Sequence, residues 1–221
     1  MAERQTRRTR AWILVPYVLW CALGYSFLLA TDLRYLWHVP LHSLALLLYW
    51  KPQLVLPRKG KVTPTHFVIV GIVYSAFVAE PLAVLGRGDI QPNLVLNSVF
   101  WIGSYAGVFV AWLWLLPRYR WGSMTVFVLC GLLALFDHSL ALWRMLLNLD
   151  IVGFLLFAPV LHAVYSSLTA PIMVAYRTGL QRAARAPGVA GIAWATLLPG
   201  VLFRIGSLWI LLAGQILHLA R

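Results

Sequence analysis

Few side chains in this sequence suit acid, base or metal chemistry, and several of those that do lie inside apolar runs. An ionisable group within such a run is expensive to keep, so each is a candidate functional residue. His38 and His42 are four residues apart, Glu80 precedes Pro81, and His162 and Arg204 sit in two later apolar stretches. A continuous helix presents residues i and i+4 on one face. His38 and His42, joined by Glu80 from a neighbouring helix, would make a zinc or non-haem iron set. In the competing reading Glu80 and His42 form a general acid/base couple, and Arg204 holds an anionic headgroup or substrate.

Two features weaken both readings. Pro40 lies between the two histidines and favours a helix start there, which takes His38 off the shared face. No HExxH or comparably dense ligand motif is present. Without chemistry, these groups are interfacial histidines and a glutamate hydrogen-bonded to a neighbouring helix. His162 is the candidate cofactor ligand. Its depth differs from that of His42 by about 8 Å at 1.5 Å per residue, which argues against a haem held by the two. Walker loop, nucleophile elbow and CxxC are all missing, so no cofactor is implied.

These residues must be positioned by elements made for lipid. The chain has 221 residues, 62% of them hydrophobic and 11% charged, with mean hydropathy +0.82. A soluble domain must wet its surface and carries about twice that charge. The composition predicts an all-α, polytopic integral membrane protein folded as a single domain over 1–221. A crossing needs about 20 apolar residues. Seven stretches qualify, at approximately 11–30, 35–50, 65–86, 94–116, 121–137, 150–170 and 192–217. The segment from Asp137 to Asp150 reads as a short interfacial helix. The first stretch is too long for a signal-peptide core and no small-x-small site closes it, so it reads as a retained span.

Charge gives the orientation. With the N-terminus inside, Arg4, Arg7, Arg8, Arg10, Lys51, Arg58, Lys59, Lys61, Arg118, Arg120, Arg177, Arg182 and Arg185 face the cytoplasm. Arg34, Arg87, Arg144 and Arg221 face the other side. That bias predicts a cytoplasmic N-terminus and an extracytoplasmic C-terminus, in a plasma (inner) membrane of bacterial type. Asp32, Asp89, Asp137 and Asp150 all fall at the outer face by the same count. The formal charge of +12 therefore serves topology and contact with membrane lipids, not nucleic acid.

Counting depth along the helices puts His38, His42, Glu80, Asp137, His138 and Asp150 in one outer-leaflet layer, with His162 and Arg204 nearer the middle. The Gly103–Gly107 pattern offers a face for close helix packing, inside the chain or against another membrane subunit. Cys21 and Cys130 read as free thiols in the apolar core. The leading expectation is a non-catalytic or accessory subunit of a larger membrane complex. The alternative is an intramembrane enzyme or lipid- or isoprenoid-binding protein using Glu80, His42 and Arg204 in an outer-leaflet polar cavity. A transporter fits less well, because the span number is odd and no repeat is seen.

Overall fold

The computed structural model describes residues 18–26, 63–84, 94–183 and 185–219, with isolated positions 15, 29, 30, 36 and 40. His38 and His42 lie outside the described residues, as do most of the stretches 11–30 and 35–50. The described residues form helices and no strand. They are α1 (Pro64–Val84), α2 (Leu94–Leu115), α3 (Ser123–Gly131), α4 (Ala134–Asp137), α5 (Ser139–Leu147), α6 (Ile151–Leu180) and α7 (Val189–Leu219). Residues 18–26 are helical as well.

Three described helices contain a segment long and apolar enough to cross a membrane: Ser98–Leu115, Ile151–Arg177 and Val189–Trp209. A fourth is counted if the two arms 123–137 and 141–147, bent by 76° to each other, form one span. The described apolar part of α1, Pro64–Ala79, is shorter. The stretch 121–137 is thus not the single straight helix its composition suggests. It breaks after Gly131 and again at His138, and α5 occupies the segment expected to be a short interfacial helix. The helix begun at Ile151 does not stop near residue 170 but runs on to Leu180, carrying Pro171 inside it.

Neighbouring helices alternate in direction. Ring contacts join the end of α2 to the start of α7, with Trp114 and Trp194 at 6.4 Å. The start of α1 meets the end of α6, where the Tyr176 hydroxyl lies 3.3 Å from His66 Nδ1. The α3 side follows the same pattern: Arg177, late in α6, and Gln181, just past its end, donate to the carbonyl of Trp121 at 3.3 and 3.1 Å. Arg118, Arg120, Arg177, Arg182 and Arg185 consequently gather at one end of the bundle. There Arg185 stacks over the Tyr119 ring at 5.3 Å, and the Arg120 amide donates to the Arg185 carbonyl at 2.7 Å.

Small residues set the closest approach, between α2 and α7. A Cβ on Gly107 would strike the backbone of Leu202, and one on Gly206 would strike the Gly103 carbonyl. Ser104 and Ser207 share a hydrogen bond of 2.8 Å at the same interface. The Gly103/Gly107 face is therefore occupied by the chain's own α7, so of its two expected uses the structure shows internal packing. Around this seam Phe67, Tyr105, Phe109, Trp112, Phe127 and Phe203 are fully buried. Cys21 and Cys130 are buried, and neither is in a disulfide among the described residues.

Two prolines in α6 organise their neighbours. Proline has no N–H, so the carbonyl four residues earlier loses its helical donor. Pro159 exposes Leu155 O in this way, and the Trp20 indole N–H donates to it at 2.8 Å. Pro171 exposes Ser167 O, which accepts the Tyr74 hydroxyl at 3.0 Å. Each proline thus recruits a side chain from a different helix. Replacing Trp20 by Phe should cost about 1 kcal/mol of stability in detergent micelles, the usual net value of one hydrogen bond. In a Pro159→Ala background, where an N–H returns to Leu155 O, the same W20F change should cost clearly less. Equal losses in the two backgrounds would disprove the pairing.

Candidate polar site at the middle of the bundle

Four helices bring polar side chains to one level. Tyr105 is half-way along α2, Tyr165 half-way along α6 and Arg204 half-way along α7. The level is roughly 15–24 Å from the basic end at 1.5 Å per residue. The chain between α4 and α5 breaks here, and Asp137 ends α4 at the break. Its carboxylate accepts the hydroxyl of Tyr165, in the middle of α6.

The break explains the company Asp137 keeps. A helix end leaves carbonyls without intrahelical donors, and in a region without water each bare one costs several kcal/mol. The Arg204 guanidinium covers two of them. Its Nε donates to Phe136 O at 2.9 Å and its Nη2 to Asp137 O at 2.7 Å, with a further contact from Nη2 to Phe136 O. Nη1 faces Asp137 Oδ1 at 3.6 Å. A planar, always-charged fork can cap a helix end and pair with a carboxylate at once, which a lysine cannot do. His138 closes the cluster, with Nε2 at 3.9 Å from Asp137 Oδ2 and its ring edge-on to Tyr165.

His162 has a separate place. Its Nε2 is 3.0 Å from Val128 O in the last turn of α3, and its ring stands edge-on to Phe127. A carbonyl only accepts, so the partner assigns the proton to Nε2 and takes that nitrogen out of metal or cofactor ligation. Gly131 makes the approach possible, since a Cβ there would run into the imidazole. One residue earlier, Phe127 O accepts the Ser166 hydroxyl at 3.1 Å. His162 and Arg204 therefore act at different points of the broken segment.

Of the residues singled out in the sequence, Arg204 and His162 are described in full. Glu80 lies in α1, but its side chain is outside the described residues, as are His38 and His42. Among the described residues, no group of three His, Cys, Asp or Glu is placed to hold a metal ion. Sequence reasoning missed the pairing of Asp137 with Arg204, although a signal was present. The run from Trp121 to Asp137 covers only about 24 Å at 1.5 Å per residue, short of a bilayer core of about 30 Å. Counted from the basic end, Asp137 and Arg204 then differ in depth by less than the length of an arginine side chain.

The arrangement holds a broken helix in place; its donors are directed at backbone carbonyls and one carboxylate. Arg204→Leu would strand two carbonyls and the Asp137 carboxylate, and should lower stability by about 3 kcal/mol or more. Asp137→Asn keeps an acceptor for Tyr165 and should cost about 1–2 kcal/mol. The two losses should be less than additive in the double variant, as unfolding titrations in mixed micelles would show. Near-wild-type stability of R204L would remove this role. Comparison adds no assignment to the geometry: the chain matches no protein-family model, no curated protein and no solved structure.

Proposed function

We propose that this chain is a non-catalytic polytopic membrane protein that serves as a subunit of a larger membrane assembly. The carrying observation is the outer surface of α7. The Arg204 side chain is 44% exposed although it sits half-way along a helix of 31 residues. Val201, Ile205 and Leu208 flank it, each 44–56% exposed. A guanidinium facing lipid at that depth is costly even by the mildest scale, about 2.5–3.5 kcal/mol. A helix of another chain packed on this face removes the cost, and apolar flanks suit such a contact.

The reading as an enzyme built on Glu80, His42 and Arg204 draws less support, because Arg204 is engaged by Phe136 and Asp137. We also propose seven spans with the N-terminus in the cytoplasm and the C-terminus outside, in a plasma membrane of bacterial type. The antiparallel order of α1, α2, the α3 arm, α6 and α7, with basic residues gathered at one end, supports that topology.

Native mass spectrometry of the protein, gently extracted from its own membranes, should show a partner chain at fixed stoichiometry. Val201→Trp and Leu208→Trp should abolish the complex without altering the unfolding of the chain itself. A lone wild-type chain, or a complex indifferent to both substitutions, would sink the subunit reading. For topology, reporters fused after Lys61, Arg120 and Arg185 should report cytoplasm, and those after Arg34, Gly88 and Asn148 the opposite side. One reporter on the wrong side would overturn the seven-span scheme.

A further inference from the structure

The broken segment leaves a cavity of about 510 Å³ between α3–α4 and the first half of α6, with Trp20 at its rim. We infer that this cavity is a binding site for one hydrocarbon chain, the acyl or prenyl tail of a membrane lipid. Its walls are apolar, with Phe127, Leu132 and Leu135 on one side and Leu155 and Ala158 on the other. Both polar groups in the lining are turned to backbone: the His162 Nε2 to Val128 O at 3.0 Å and the Trp20 indole to Leu155 O at 2.8 Å. An occupant therefore meets methyl, methylene and ring surfaces. A headgroup gains nothing there.

Size separates a lipid tail from a protein partner. One turn of helix, about 10 Å wide and 5.4 Å high, takes roughly 420 Å³, so the cavity admits little more than one turn. It admits on the order of fifteen methylene-sized groups, if each takes roughly the 30 Å³ of one water. That is the scale of a lipid tail. The site is also built rather than incidental. Pro159 frees the carbonyl that fixes Trp20 at the rim, and Gly131 lets the His162 ring lie flat in the wall. This site uses none of the exposed α7 residues, so its fate is independent of the subunit reading.

The test uses the full-length protein reconstituted with phosphatidylcholine, a trace of which carries a diazirine on one acyl chain. After irradiation, adducts should concentrate on Leu132, Leu135 and Ala158, and excess unlabelled lipid should leave their share above that on Val201 and Leu208 of α7. Ala158→Phe and Leu135→Phe, which narrow the cavity from opposite walls, should each cut cavity labelling on the order of tenfold. Labelling of α7 should not change, and that control also reports an intact fold. Adducts spread evenly over cavity and α7, or insensitive to both substitutions, would show ordinary boundary lipid and overturn the inference.

Discussion

A backbone carbonyl without a donor cannot be left bare in a hydrocarbon environment, and the described contacts of this protein are arranged around that constraint. Two prolines and one helix break create such carbonyls at Leu155, Ser167, Phe136 and Asp137. Each is met by a side chain from elsewhere in the chain: Trp20, Tyr74 and Arg204. The contacts span 67 to 135 residues of sequence. They therefore act as long-range fasteners between helices whose apolar surfaces alone would slide. In lipid the hydrophobic effect does not favour one helix–helix register over another, so polar fasteners and close packing must supply it.

The break at Asp137 shows how one residue pair solves two problems. An arginine half-way along a helix needs a counter-charge, and an interrupted helix needs donors. Arg204 and Asp137 meet both needs in one place, with Tyr165 and His138 completing the shell around the carboxylate. The consequence is a polar cluster tied to structure, half-way along α6 and α7. The apolar cavity lies beside the same broken segment, with His162 in its wall.

Packing of α2 on α7 follows a different rule. Gly103, Gly107 and Gly206 remove side chains where the backbones meet, and Ser104 with Ser207 adds one hydrogen bond. The glycines use one surface of α7 for the interior. The opposite surface carries Val201, Ile205 and Leu208 together with the exposed part of Arg204. The helix thus has one face fixed inside and a charged, apolar-flanked face outside.

Much of this was legible in the residues. Apolar run lengths define α1 and α2 to within a few residues, because a bilayer-length helix needs only composition. The GxxxG spacing marks a close helix contact, and Pro159 announces a carbonyl in need of a donor. The place of Arg204, half-way along an apolar helix, also follows from counting. The break was hidden: the run from Phe127 to Asp137 has no proline and reads as one apolar helix. Sequence alone determined a membrane-type, all-helical chain and which of its groups would be costly to bury. Only the tertiary structure decided how those costs are met. Arg204, from α7, captures the Phe136 and Asp137 carbonyls that a straight helix would keep for itself, and Ser166 and His162, from α6, share those of Phe127 and Val128 with α3. Such donors lie tens of residues away, and no local pattern encodes their arrival.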